Sequence, residues 1–237
     1  MNLAIINASE AALVFVSAVA MYFVGSIPFG LLVGLMRGVD VRKAGSGNIG
    51  ATNVGRTCGR VWGFLTLGLD ATKGFLPVWL VHHYHWGISL IPGVPHPDVV
   101  LQVAFGIGAI AGHMYPIYLA FKGGKGIATA AGVFLAAAPW ALLCAFTAWV
   151  IFTVLTKYVS VGSIASVIAL ASGQVLLDPE AFRDRFGVTL FTIGVMVFSI
   201  YKHRGNVKRI LKGTEPRITL GKKPSPAGGV PPPSSTP

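Results

Sequence analysis

Two short stretches of this chain carry residue types that hold anions. The first is AGSGNIGATNVGR, Ala44–Arg56, which contains Gly45, Ser46, Gly47, Asn48, Thr52, Asn53 and a closing Arg56. The second is FKGGKG, 121–126, with Gly123, Gly124, Lys125 and Gly126. Glycine permits positive φ and lets backbone N–H groups approach a ligand closely. Each stretch runs into a segment that reads as a helix, and helix N-terminal amides favour negative charge. Arg56 and Lys125 add full positive charge, and amides plus a cation suit phosphate. Neither stretch is a Walker A loop, because Leu119 stands where that motif needs its first glycine before Lys125. Either loop alone reads equally well as a flexible turn. Two of them, each with polar side chains and a cation, point to a binding site.

Two further polar segments follow. KYVSVGSIAS, 157–166, sets Ser160, Ser163 and Ser166 at helical spacing, where serines serve helix packing or, for Ser163, reach a polar face. HRGNVKRILKGTE, 203–215, supplies His203, Asn206 and Glu215. A neutral imidazole near pH 7 makes His203 a candidate general base. In LDATKG, Asp70 and Lys73 stand at i, i+3 on one helix face. That spacing lets each offset the other's charge in an apolar setting, which favours structural support over catalysis. His113 is open between a helix-terminal hydrogen bond and a place in the site. His82, His83, His85 and His96 gather away from these segments, and Cys58 and Cys144 have no metal spacing and no disulfide framework. No metal or cofactor is expected.

These groups need a scaffold, and composition defines it. The 237 residues are 53% hydrophobic and 11% charged, and the mean hydropathy is +0.68. A soluble domain carries about 25% charged residues. Lys and Arg nonetheless number 19 against 8 Asp and Glu. A membrane protein with basic loops on one side explains both facts, whereas a nucleic-acid binder would carry its charge on a solvated face. Apolar spans read as 11–36, 60–82, 98–121, 126–138, 140–156, 160–177 and 187–201, which predicts an all-α, polytopic fold of about seven transmembrane helices. Merging the short spans would give five or six. Loops and ends after odd-numbered spans then hold 16 of the 19 Lys and Arg. The positive-inside rule places the N-terminus outside and the C-terminus in the cytoplasm. All four polar segments fall on that cytoplasmic face. Residues 1–218 form a single domain in this reading, and 219–237, rich in Pro, Gly and Ser, form a disordered tail.

Several chemistries lack their signatures. No nucleophile elbow is present, no histidine has an aspartate five residues on, and no D-x-x-D-G occurs. The combined motifs instead resemble the bacterial acyl-phosphate:glycerol-3-phosphate acyltransferase family, usually called PlsY. The matching residues are GSIPFG at 25–30, GSGNIGATN at 45–53, LDATKG at 69–74, GHMYP with FKGGKGIAT within 112–129, YVSVGS at 158–163 and HRGNVKRILKGTE at 203–215. The resemblance implies a seven-helix integral membrane enzyme in the bacterial inner membrane, with its site facing the cytoplasm. It implies transfer of a fatty acyl group from acyl phosphate to the sn-1 hydroxyl of glycerol 3-phosphate, giving lysophosphatidic acid and phosphate. Carried over by position, it implies site roles for Ser46, Arg56, Lys125, Ser163, His203 and Asn206, with Glu215 in the same cluster. The glycine-rich positions Gly45, Gly47, Asn48, Thr52, Asn53, Gly123, Gly124 and Gly126 are expected to cradle phosphate. The substrates and membrane lipid are the expected partners, with neither nucleic acid nor an obligate protein partner. The base is open between His203 and a substrate phosphate, with the phosphate favoured because the motifs hold few carboxylates. A transporter of a small organophosphate is the rival reading, and it calls for a site near the membrane midplane on broken helices.

Overall fold

The computed structural model describes residues 7–218. The tail expected at 219–237 lies outside them. Among the described residues every regular element is helical: α1 Ala8–Ser26, α2 Phe29–Met36, α3 Ala51–Thr57, α4 Arg60–Tyr84, α5 Trp86–Leu90, α6 Pro97–Met114, α7 Ile127–Ala137, α8 Pro139–Thr156, α9 Val159–Leu177, α10 Phe186–Lys202 and α11 Arg204–Leu211, with a 3-10 turn at Ile117–Leu119. Local chemistry sets several boundaries. Asn7 Oδ1 accepts the Glu10 amide at 2.9 Å while Glu10 Oε2 accepts the Asn7 amide at 3.2 Å, a reciprocal cap that starts α1. Pro28 lies in the break between α1 and α2. Pro97 and Pro139 open α6 and α8, where the missing N–H has no intrahelical partner to lose.

Five helical stretches are long and apolar enough to cross a membrane: Ala8–Met36, Arg60–Tyr84, Pro97–Leu119, Pro139–Thr156 and Val159–Leu177. A sixth counts if α10 and α11 are one span bent by 45°. The expected span 126–138 is α7, only 11 residues long, or roughly 16 Å at 1.5 Å per residue, against a hydrocarbon core of about 30 Å. Contacts at its two ends tie it to other parts of the bundle. Beside its N-terminus, Lys125 Nζ donates to Asn206 at 2.6 Å. At its C-terminus the Ala137 carbonyl accepts from Arg185, in the loop before α10.

The bundle therefore has two distinct ends. One gathers the loops around 37–50, 115–126, 157–158 and 203–218, tied by Lys202 Nζ to the Met114 carbonyl at 3.0 Å and by the Ile218 amide to the Lys157 carbonyl at 2.8 Å. The other gathers 85–96 and 178–185, tied by His96 Nε2 to Asp184 Oδ1 at 3.3 Å, with the start of α1 joined through Glu10 Oε1 to the Gly93 amide at 2.8 Å. All four clustered histidines have protein partners there: His85 lies 2.8 Å from Asp98, His83 stacks on Trp79, His96 meets Asp184 and His82 Nδ1 lies 3.4 Å from Gln102 Nε2.

Between the ends, small residues let helices approach to backbone contact. A Cβ on Gly25 of α1 would lie 2.2 Å from the Ala109 carbonyl of α6, and one on Gly132 of α7 would lie 1.9 Å from the Ala71 carbonyl of α4. In lipid, where apolar burial drives helix association weakly, such close packing supplies much of the attraction. Large apolar side chains such as Phe15, Phe64, Trp140 and Phe198 point outward, as expected of a surface that meets acyl chains.

Candidate active site

At the basic end a cavity of about 390 Å³ opens between the helices. One part is polar and is lined by Ser46, Asn48, Thr52, Arg56, Lys125, Ser160, Ser163, His203, Asn206 and Glu215. The other part is apolar. It runs between α4, α7, α8 and α9 along Leu67, Ala71, Ala131, Phe134, Ala145 and Leu170. All six residues expected to do chemistry line this one cavity, although they come from four segments up to 160 positions apart.

A hydrogen-bonded chain organises the polar part. Lys125 Nζ donates to Asn206 Oδ1 at 2.6 Å, and Asn206 Nδ2 donates to Glu215 Oε1 at 2.6 Å. Ser160 Oγ donates to the same Glu215 oxygen at 2.8 Å, while Arg209 Nε binds the other at 2.8 Å. Arg56 reaches across to the Pro216 carbonyl at 3.3 Å. Burial would raise the Glu215 carboxyl, but hydrogen bonds from Asn206, Ser160 and Arg209 outweigh it and hold the group below the usual carboxylate range. Lys125 is drawn down to about 8, first by burial, with Arg209, Arg56 and Lys202 adding to the effect against Glu215. It remains mostly cationic at neutral pH. Burial likewise lowers Arg56, which stays charged as guanidinium does.

His203 lies just past the end of α10 and is almost fully buried. Its Nδ1 is 2.7 Å from the Ser199 carbonyl. A carbonyl only accepts, so Nδ1 carries the proton and Nε2 holds the lone pair. Burial and then the charge of Lys125 push its pKa down to about 4. The ring is neutral at pH 7 and weakly basic.

The glycine-rich loops prove to be built structures. Gly45 has φ of +60°, and a Cβ there would sit 2.3 Å from Asn53 Oδ1. Asn53 is buried and spends its amide on the loop itself: Oδ1 accepts the Ser46 amide at 2.7 Å, and Nδ2 donates to the Val41 and Ala44 carbonyls at 2.9 and 3.0 Å. Asn48 Oδ1 closes a turn on the Gly50 amide at 2.8 Å. Asn53 is thereby the brace of the loop, and it lines the cavity together with Ser46, Asn48, Thr52 and Arg56. In the second loop Lys125 and Gly126 line the cavity, whereas Gly123, Gly124, Gly45 and Gly47 do not. Gly124 packs against His113, where a Cβ would fall 2.1 Å from Nε2.

The linear pattern assigns no chemistry to four lining residues: it reads Ser160 and Ser166 as helix packing and Asp70 as structural support, and leaves His113 open. The signals were present, since a carboxylate in an apolar helix is costly and GHMYP leads directly to FKGGKG. Nothing in the linear pattern said that α4 and α6 would present them to the same cavity.

Comparison with known proteins gives the family. The family model described as glycerol-3-phosphate acyltransferase matches residues 15–213. A glycerol-3-phosphate acyltransferase of Geobacter sulfurreducens is 43% identical over 197 residues, covering 83% of this chain and 93% of its own. Those of Desulforamulus reducens and Laribacter hongkongensis are 42% and 40% identical, over 83% and 88% of this chain and 91% and 98% of their own. The crystal structure of PlsY, an integral membrane glycerol 3-phosphate acyltransferase, in its glycerol 3-phosphate form superposes with a TM-score of 0.76 at 35% identity, covering 87% of this chain and 96% of that one. Its lysophosphatidic acid form gives 0.74 at 34%, over 87% and 95%. With a family match across most of its length, an all-helical bundle and apolar spans, this multi-pass membrane protein belongs to the glycerol-3-phosphate acyltransferase family.

Proposed function

We propose that this protein transfers a fatty acyl group from acyl phosphate to the sn-1 hydroxyl of glycerol 3-phosphate, at the cytoplasmic face of a bacterial inner membrane. The observation that carries this reading is a single cavity with a cationic, amide-rich end continuous with an apolar limb between helices. The first suits phosphate groups and the second suits an acyl chain. PlsY, the structural relative, was seen with glycerol 3-phosphate and with lysophosphatidic acid.

The reaction needs little covalent help. Acyl phosphate is a mixed anhydride, so phosphate already leaves readily. The glycerol hydroxyl oxygen attacks the acyl carbonyl carbon, the carbon–oxygen bond to phosphate breaks, and the hydroxyl proton passes to phosphate. Lysophosphatidic acid and inorganic phosphate result. The protein holds two anions side by side and aligned, which can supply much of the rate. Lys125 and Arg56 offset the mutual repulsion of the substrates and the charge that develops on the carbonyl oxygen and leaving phosphate. Asn206 holds Lys125 and is itself held by Glu215. The weak basicity of His203 favours a substrate phosphate as proton acceptor, with His203 and Ser163 as polar groups that orient the substrates.

Seven crossings remain our reading, with α7 as a short crossing that starts in the site and ends at Ala137. The N-terminus lies outside and the C-terminus inside, on the charge distribution given above. Loops 85–96 and 178–185 share the end opposite the site, as that topology requires.

The deciding assay gives purified protein glycerol 3-phosphate with palmitoyl phosphate and, separately, with palmitoyl-CoA. Lysophosphatidic acid and phosphate should form only with palmitoyl phosphate. Absence of product with both donors, alongside glycerol 3-phosphate uptake into vesicles, would replace this reading with the transporter.

A further inference from the structure

Beneath the FKGGKG loop lies a buried cluster that the chemistry above does not use. Asp70 Oδ1 is 2.7 Å from Lys73 Nζ and 3.4 Å from His113 Nδ1. Side chains of all three are at most 4% exposed. Lys73 also donates to the Ile27 carbonyl at 2.9 Å, in the break between α1 and α2. Asp70 and Lys73 could neutralise each other on α4 alone. The third partner, on α6, is what needs an explanation.

His113 is the floor of the loop. Its carbonyl accepts the Gly124 amide at 3.0 Å. A Cβ on Gly123 would lie 2.2 Å from that carbonyl oxygen, and one on Gly124 would lie 2.1 Å from the ring Nε2. The backbone before Lys125 thus rests on His113 twice, once on its main chain and once on its imidazole. A ring on a single bond can swing unless something holds its other face. Asp70 does so by charge and close contact: its Oδ1 lies 3.4 Å from the ring Nδ1, and Nε2 is left against the loop. Asp70 and His113 both line the cavity beside Lys125.

We infer that Asp70 and His113 are positioning residues for the phosphate loop, with Asp70, balanced by Lys73, locking the His113 ring on which Gly123 and Gly124 rest and so setting where Lys125 Nζ meets a phosphate. The inference rests on the acyltransferase reading for the identity of that phosphate. It explains why the costly buried pair sits on α4 at this height and not elsewhere on the helix.

The test uses the full chain in lipid nanodiscs and compares wild type, His113→Ala, the charge-balanced Asp70→Asn/Lys73→Met, and the triple variant. KM and kcat are measured for glycerol 3-phosphate and palmitoyl phosphate, and the binding of glycerol 3-phosphate by calorimetry. We expect either lesion to raise the KM of one phosphorylated substrate about tenfold while kcat changes less than about threefold, as loss of a supporting contact does. The triple variant should be no worse than the worse of the two lesions, because both remove the same support. Unchanged KM values for both substrates, or additive losses, overturn the inference while leaving the function intact. Failure of both His113→Ala and the balanced variant to yield monodisperse protein also overturns it, in favour of a purely structural ion pair. If wild type neither binds glycerol 3-phosphate nor turns over, the acyltransferase reading itself fails, and that outcome is separable from the others.

Discussion

Lys125 and His203 lie in one cluster, and burial lowers both with different consequences. Burial and neighbouring cations bring Lys125 down to about 8, so the charged form that binds phosphate dominates below that pH and is lost above it. The pH profile of kcat/KM, which reports the free enzyme, should therefore fall above about pH 8, and Lys125→Arg should move that limb upward, since guanidinium does not titrate there. Lys125→Ala should lower kcat/KM by about 10²–10³-fold, the usual cost of one preorganised charge-stabilising donor, in protein that still elutes as a single species. Wild-type activity in that variant would remove the anion role. His203 is already neutral through the working range, with a pKa of about 4. Any inflection near pH 6 then belongs to the substrate phosphates, whose second pKa is about 6, and His203→Gln should leave the shape of the profile unchanged. A new acid limb in wild type that vanishes in His203→Gln would reinstate His203 as the base.

The elements hold these residues through unusually close packing. α7 is too short to be stabilised by its own length, yet Lys125 stands just before its N-cap, Gly126. Its contact with α4 admits no side chain at Gly132, where a Cβ would meet the Ala71 carbonyl. We expect Gly132→Ala to cost about 1–3 kcal/mol, as overpacking does, and thermal unfolding in detergent would show it as a lower midpoint. The far end of α7 depends on Arg185, which binds both the Ala137 carbonyl and, at 2.7 Å, Asp178. The segment after α11 acts as a strap: Glu215 ties it to Ser160 and Asn206, and Ile218 ties it to Lys157. Because Glu215 is held below its ordinary pKa, its stabilising bonds are present above the carboxylate range and weaken as pH falls through its folded value.

At the scale of the whole molecule, charge and topology are the same fact. Sixteen of 19 Lys and Arg fall in the segments that the structure gathers at the site end or that continue from it. A chain in which Cys58 and Cys144 are replaced, carrying Asp184→Cys or Lys212→Cys, tests the orientation. An impermeant maleimide should label the first in intact cells and the second only after permeabilisation. The reverse pattern would invert the topology and place the site outside.

The sequence by itself determined what local chemistry can determine. Apolar run length located the long helices within a few residues, while five or six of them are long and apolar enough to cross a membrane. The unequal charges gave two faces, and the motif residues gave Ser46, Arg56, Lys125, Ser163, His203 and Asn206, which all line one cavity. Only the tertiary structure decided how the remaining polar groups divide between structure and site. Asn53 braces its own loop while lining the cavity, and Asp70 and His113 meet beneath Gly124, because contacts up to 43 positions apart are set by helix packing and not by spacing along the chain. The depth of α7 was likewise invisible, since 11 apolar residues look alike whether they stop midway or reach the far end. The close approach at Gly132 and the Arg185 bond to the Ala137 carbonyl fix what α7 packs against, and they follow from close packing, which no single segment can specify alone.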